Sequence, residues 1–350
     1  MKIKKIVLEP IKRPLKVLFS TSLGNKKEIN SVIVKIILEN NTSAIGECPT
    51  SFVSRSEDIK AIKQILHSAK NILKNKPIED YEKEVSSLRK EFSGFPLTIS
   101  GLEVALFRAY LTAYGMDEYT YWGANLSCIE TDITIPFLLD LKPLKTWLNY
   151  AIEKGFKIFK IKVSGKIEED SCLLSIAHEI LKDSLDEFII RLDGNQGFTE
   201  KTYLKFQDII EKKGFKIQCF EQPLEKDDFS GMKNVKKHSH IPIILDETVF
   251  NTHDLYRVIS ENICDGVNIK VAKSGVIESK KMIDIAKKHN LKLMIGCMTE
   301  TMIGLSAGIY LACGTGNFDF IDLDSIFYLT HRNHYGNITI TPPAFLIKKL

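Results

Sequence analysis

The chain has 350 residues, 44% hydrophobic and 26% charged, with a formal net charge of +4. That is an ordinary globular composition with ample length for a core, and the small basic excess does not argue for nucleic acid. No stretch approaches the roughly 20 apolar residues of a membrane span, and the apolar start is broken at Glu9 and Pro10, too soon for a signal peptide. The seven cysteines are scattered with no CxxC pair, which suits reduced thiols and a cytoplasmic location.

Residues 1–125 read as an α+β unit. The segments "KIKKIVLEPIKRPLKVLFST" and "NSVIVKIILENNTSAIGECP" predict antiparallel strands with a turn at Asn40-Asn41-Thr42. Residues 20–30 read as a polar, flexible loop. Helical spacing follows over 56–74 and 79–92, then in the apolar stretch "ISGLEVALFRAYLTAYG". From Thr131 the texture changes to short β-branched runs alternating with amphipathic helices. Strands are predicted at 131–137, 156–163, 188–193, 217–221, 242–246, 265–271, 292–296 and 318–324. Eight strands with seven intervening helices form a parallel βα repeat. An open doubly wound sheet would want a Gly-rich phosphate turn after an early strand, and none is present. A closed barrel is the better reading, with its site at the C-terminal strand ends.

Those ends carry a pattern. Strands end in Lys162, Asp193, Glu221, Asp246 and Lys270, at steps of 31, 28, 25 and 24 residues, each one βα unit. The residues that alternate with them, such as Leu192, Phe220, Leu245 and Ile269, are apolar and suit packing against outer helices. Three carboxylates on successive strands would repel one another unless a cation sits among them, and an all-oxygen set suits Mg²⁺ better than Zn²⁺. Lys160 and Lys162 share one strand face. A free lysine, with a pKa near ~10.4, is a poor base at neutral pH, and the expectation is that Lys160 and a nearby cation depress Lys162. Two lysines facing each other across a bound carboxylate could remove a proton from one face of a carbon and return it to the other.

The motifs "KIK" (160–162), "DGNQ" (193–196), "EQP" (221–223), "DET" (246–248) and "NIK" (268–270) resemble, in order and spacing, those of the enolase superfamily, muconate-lactonizing-enzyme subgroup. The resemblance covers nearly the whole chain. It implies an α/β fold, a (β/α)7β TIM-like barrel over 126–329 under an α+β N-terminal capping domain of 1–125, which residues 330–350 rejoin. It also implies one Mg²⁺ per subunit held by Asp193, Glu221 and Asp246, supported by Asn195 and Asn268, with Lys162 and Lys270 as the catalytic pair. Within the superfamily the tail of the barrel is similar to that of the dipeptide epimerases of the L-Ala-D/L-Glu type. Their D-x-D, here Asp322 and Asp324, holds the substrate's α-ammonium. Thr134, Lys160 and Met298 would contact the same substrate.

One position departs from that pattern. Ala-Glu enzymes carry a loop arginine for the glutamate side chain, and the matching residue here is Gly24. The expectation is a dipeptide whose second residue is neutral or apolar, with Phe19, Leu23 and Gly24 shaping its pocket. Lys26 or Lys27 is left as a substitute cation. The resemblance leaves three alternatives on the same scaffold: an Ala-Glu epimerase proper, an N-succinyl-amino-acid racemase and an o-succinylbenzoate synthase. A Schiff-base aldolase would not need three metal-type acids, and a non-catalytic binding protein would not need opposed bases. The expected partner is a small dipeptide, and homo-oligomeric assembly is left open.

Overall fold

The computed structural model describes residues 1–331 and 333–348. The chain opens with an antiparallel sheet of β1 (Ile3–Thr21), β2 (Gly24–Leu38) and β3 (Ser43–Pro49), in that order. Helices α1 (Ile59–Leu73) and α3 (Pro96–Ala113) pack on it, α2 (Tyr81–Glu91) packs on α3, and the short α4 (Glu118–Tyr121) follows. The β2–β3 connection turns at Asn41, with φ 67°, a left-handed value that asparagine tolerates. Asp58 starts α1 by accepting the Ala61 amide at 2.7 Å, and its buried stripe of Ile62, Leu66, Ala69 and Leu73 follows the helical repeat.

Residues 20–30 are not the open loop that their composition predicts. β1 and β2 stay paired to Thr21↔Gly24 and close through a two-residue turn at Ser22-Leu23. Strand pairing satisfies backbone groups whatever the polarity of the side chains, so a polar composition does not exclude a hairpin. Its tip is latched across to the barrel. The Ser22 hydroxyl reaches the carbonyl oxygens of Gly194 and Asn195 at 3.1 and 2.7 Å.

After β4 (Cys128–Glu130) comes the barrel. Its eight parallel strands are β5 (Ile133–Ile135), β6 (Ile158–Lys162), β7 (Ile189–Asp193), β8 (Ile217–Glu221), β9 (Ile243–Leu245), β10 (Gly266–Ile269), β11 (Lys292–Gly296) and β12 (Phe320–Asp322), adjacent in chain order. Helices α5 (Leu141–Glu153), α6 (Ile167–Ser184), α7 (Glu200–Lys212), α8 (Phe229–His238), α9 (Thr252–Glu261), α10 (Val271–Lys288) and α11 (Met302–Thr315) connect them. The first and last strands meet where the Asp132 amide donates to Ile321 O at 3.2 Å and the Leu323 amide to Thr131 Oγ1 at 2.7 Å. The architecture is a (β/α)7β barrel with a capping domain.

The chain ends with α12 (Ser325–Tyr328), β13 (Ile338–Thr341) and β14 (Ala344–Ile347). β14 pairs with β4 rather than with the N-terminal sheet. The segment before β13 touches the cap: Thr330 N–H donates to Pro14 O at 3.3 Å, and the Arg108 guanidinium lies 4.6 Å from the Tyr335 ring centre. None of the described helices is long and apolar enough to cross a membrane.

Alternation along the barrel strands separates two environments. Phe159, Ile161, Leu192, Phe220 and Ile269 join the large core under the helices. On the inner face, Cys219, Ile244, Met294 and Phe320 form a small apolar floor of their own. Two residues further along β8, β9 and β12, towards their C-terminal ends, this face turns ionic at Glu221, Asp246 and Asp322.

The cap sheet rests on α3 at very close range. A Cβ on Gly101 would stand 2.3 Å from Glu47 O and 2.5 Å from Cys48 Sγ. Alanine there gains about 1 kcal/mol of helix propensity, but the clash is with backbone that cannot rotate away. Gly101→Ala is expected to lower the unfolding free energy by about 1–3 kcal/mol net in denaturant titration, the range for overpacked cores. Gly94→Ala, with nothing within 4 Å, is expected to stay near wild type.

Candidate active site

β6 through β10 carry Lys160, Lys162, Asp193, Glu221, Asp246 and Lys270 to one end of the barrel, all nearly inaccessible to solvent. Register does this: Lys160 pairs with Arg191, Lys162 with Asp193, and Asp193 with Glu221, so successive strands present their last residues at one level. Lys160 sits in the middle. Its Nζ lies 2.5 Å from Glu221 Oε2, 2.6 Å from Asp322 Oδ2 and 3.3 Å from Asp193 Oδ2. Lys162 holds Asp193 at 2.5 Å. Lys270 holds Asp246 at 2.6 Å and lies 4.0 Å from Glu221. The two lysines of the expected pair thus bracket the carboxylates, one at Asp193 and the other at Asp246.

Supporting donors complete the ring. Asn268 Nδ2 donates to Glu221 Oε1 at 2.8 Å, and the Asn195 amide to Asp193 Oδ1 at 2.9 Å. Asn195 Nδ2 also reaches Glu247 Oε1 at 3.2 Å. Sequence reasoning missed Lys273. Fully buried, it donates to both the carbonyl and the carboxylate of Asp246, at 2.5 and 2.6 Å. The signal for it is weak, a lysine three residues beyond Lys270 at the start of a helix.

The charges are unbalanced. Asp132, Asp193, Glu221, Asp246, Glu247, Asp322 and Asp324 are seven acids, against Lys160, Lys162, Arg191, Lys270 and Lys273. Burial, and then the facing acids, push Glu221 up to about 7 and Glu247 up to about 8. Burial also works against the charge of Asp193 and Asp246, but their lysines overcome it and hold both below the usual carboxylate range. Lys160 and Lys270 shift upward. Burial disfavours their charge, yet the surrounding acids outweigh it and raise both. Carboxylates at 2.5–2.6 Å act more strongly on an ammonium than a second ammonium beyond them.

Hard oxygen donors fit a divalent cation such as Mg²⁺. Glu247 Oε2 and Asn195 Oδ1 beside them are buried with no hydrogen-bond partner among the described residues, further unspent oxygen capacity at the same place. A second acidic group adjoins the ring. Carboxylate oxygens of Asp132, Asp322 and Asp324 lie within 4.8 Å of one another. Arg191 pairs with Asp132 at 2.7 Å, Lys160 with Asp322, and the Thr134 amide donates to Asp324 Oδ2 at 2.6 Å. Burial and then Asp322 push Asp324 up to about 6, as expected of a carboxylate with room for a further cation.

Both groups open into a cavity between barrel and cap. Thr134, Met298, Phe19 and Leu23 line it, together with Leu15, Ile29, Phe52 and Tyr328. Phe19 meets Tyr328 edge-on at 5.3 Å and lies 5.9 Å from Lys162 Nζ. Tyr328 carries no sequence signal; its hydroxyl donates to Thr134 O. Gly24 does not line the cavity but stands behind Phe52, whose ring a Cβ would meet at 3.0 Å. Its φ of +152° suits few other residues. Met298 belongs to two settings, lining the cavity and packing on Leu97 and Ala272. The cap also fixes the segment after it. Glu47 accepts from Thr301 Oγ1 at 2.6 Å and from the Thr301 and Gly304 amides at 3.1 Å.

Residues 144–344 match a family model described as enolase C-terminal domain-like. The chain is 30% identical to the L-Ala-D/L-Glu epimerase of Thermotoga maritima, over 92% of its own length and 91% of that protein's. It is 28% identical to the hydrophobic dipeptide epimerase of Citrifermentans bemidjiense, over 93% and 90% of the two lengths. The dipeptide epimerase of Enterococcus faecalis V583, solved with Mg and L-Leu-L-Tyr, shares the fold with a TM-score of 0.91 and 26% identity, over 100% of this chain and 98% of that one.

The charge imbalance has a consequence for stability. Glu221 and Glu247 have folded values near 7 and 8, above the ~4.3 of an unfolded glutamate. Between those limits the folded state binds more protons, so stability falls as pH rises. Asp193 and Asp246, held low, act only below about pH 4. Metal-free protein is therefore expected to unfold at lower denaturant concentration at pH 8 than at pH 6, with saturating Mg²⁺ shrinking the difference. A metal-free midpoint that is flat or rising across this window would contradict the assignment.

Proposed function

The chain belongs to the enolase C-terminal domain-like family, and on that footing we propose that it is an isomerase, a Mg²⁺-dependent dipeptide epimerase that inverts the α-carbon of the C-terminal residue by 1,1-proton transfer. The observation that carries this reading is the bracketing of one carboxylate ring by Lys162 and Lys270, with Asp322 and Asp324 beside it. Asp193, Glu221 and Asp246 would hold the cation. When bound, it supplies positive charge against which the substrate carboxylate is polarised and the enediolate stabilised.

The remaining roles fall to the chain's own groups. Lys160 stays protonated among its acids and orients the substrate carboxylate. Asp322 and Asp324 take the α-ammonium, the partner their crowding favours. Once Asp193, Glu221 and Asp246 face a bound cation they would no longer raise Lys270, so that one of Lys162 and Lys270 can accept the α-proton in its neutral form while the other delivers a proton to the opposite face. One C–H bond breaks and one forms, and the two lysines exchange protonation states. A zwitterionic dipeptide adds no net charge, so with a divalent cation it offsets the two-charge excess of acids.

Specificity follows from the cavity wall. Leu15, Phe19, Leu23, Ile29 and Tyr328 offer apolar surface, and Gly24 supplies no cation. The second residue is then neutral or apolar, in keeping with the hydrophobic dipeptides of the relatives from C. bemidjiense and E. faecalis.

Deuterium incorporation at the α-carbon in D₂O with Mg²⁺ tests this reading. Exchange at the C-terminal residue is expected from both epimers of a substrate dipeptide. Lys162→Ala and Lys270→Ala should each abolish epimerisation, by ~10³-fold or more in kcat, while each stops exchange first from a different epimer. Equal partial losses from both epimers in both variants would remove the two-base assignment. In a kinetic panel Ala-Phe, Ala-Met and Ala-Tyr should exceed Ala-Glu in kcat/KM. The reverse order would overturn the apolar subsite.

A further inference from the structure

Lys26 and Lys27 are neighbours in sequence with opposite fates. Lys27 faces solvent. Lys26 pairs across the hairpin with Phe19, and directly opposed residues of an antiparallel pair share a face, so both turn into the cavity. Its Nζ donates to Thr50 O at 2.5 Å and Thr299 Oγ1 at 3.1 Å and lies 5.1 Å from the Phe52 ring centre. An ammonium has three donors, so one is left over. Among the described residues no carboxylate lies within 4.0 Å of it, unlike every lysine of the ring. Burial lowers it to about 8, with no acid acting to raise it. A half-buried cation on a substrate cavity without a counter-ion is unusual, because burying a charge without compensation is unfavourable.

Its surroundings say which part of a ligand it meets. Thr299 follows Cys297 and Met298, and Cys297 Sγ lies 3.9 Å from Asp324 Oδ1. Lys26 therefore stands on the wall that runs to the ammonium-binding acids. Phe19, its cross-strand neighbour, lies instead towards Lys162, the side of the reacting carbon.

We infer that Lys26 is a specificity residue that receives a carboxylate on the side chain of the first residue, so that this chain takes dipeptides beginning with Glu or Asp and ending in a neutral residue. The inference rests on the epimerase reading for the orientation of the ligand. Asp322 and Asp324 favour such a dipeptide over an N-succinyl amino acid, which would bring a carboxylate to the same wall without an ammonium for them.

Calorimetric titration of the Mg²⁺-loaded protein with Glu-Leu, Gln-Leu, Leu-Glu, Leu-Gln and N-succinyl-leucine tests it, with α-deuterium exchange followed in parallel. Wild type is expected to bind Glu-Leu about tenfold or more tighter than Gln-Leu, the scale of one charge-assisted pair. Lys26→Met should bring that ratio close to one, and Lys26→Arg should preserve it, which separates loss of the cation from loss of the fold. A wild-type ratio near one, a ratio that survives in Lys26→Met, a preference that falls on Leu-Glu over Leu-Gln, or tighter binding of N-succinyl-leucine than of Glu-Leu would each overturn the proposal. A Lys26-dependent Glu-Leu preference without α-exchange from any dipeptide would remove the epimerase reading and leave the carboxylate receptor standing.

Discussion

A buried ammonium at the centre of the barrel organises this protein. Lys160 reaches from β6 to acids on β7, β8 and β12 at once, with distances of 2.5–3.3 Å. It therefore ties the second strand of the barrel to its last across the interior as well as along the sheet. Neither charge could stay ionised there alone, since removing one partner of a buried pair costs about 3–5 kcal/mol. Two of these acids are held by a second group as well, Asp193 by Lys162 and Glu221 by Asn268, and the neighbouring Asp246 is held by Lys270 and Lys273. The apolar floor of Cys219, Ile244, Met294 and Phe320 bounds this network on one side, so the ionic layer faces the strand ends and the cavity.

The cap and the barrel share the site through a few polar struts. Ser22 binds the backbone after β7, Glu47 caps the start of α11, and the Arg89–Glu103 pair reaches the Ser274 carbonyl and the Ile277 amide in α10. Arg108 adds a further strut. It pairs with Glu118 at 2.8 Å and donates to Ile45 O, Ile303 O and Ser306 Oγ, joining cap to α11. Each strut spends buried polar groups on backbone atoms of the other layer. This fixes where Phe19, Leu23 and Lys26 stand over the ring, and so links cap rigidity to substrate choice.

Much of this was readable before any coordinates. The spacing from Lys162 to Lys270 matches the βα repeat because each strand end must return to the same rim, and alternation on two faces separates ionic from apolar residues. The polar hairpin was not readable, since pairing of β1 with β2 depends on backbone partners that composition does not report. Nor was the state of the lysines. Lys160 finds its acids on three other strands, the farthest of them 162 residues away.

By itself the sequence determined which chemical groups reach the rim, because strand periodicity and a repeating unit length leave those positions little freedom. The tertiary structure alone decided how their charges are shared. Coulomb interactions fall off with distance in space and take no account of distance along the chain. That is why Lys273 turns out to guard Asp246, why Gly24 lies behind Phe52 and off the cavity wall, and why Lys26 faces the cavity with no acid beside it while Lys27 points to water.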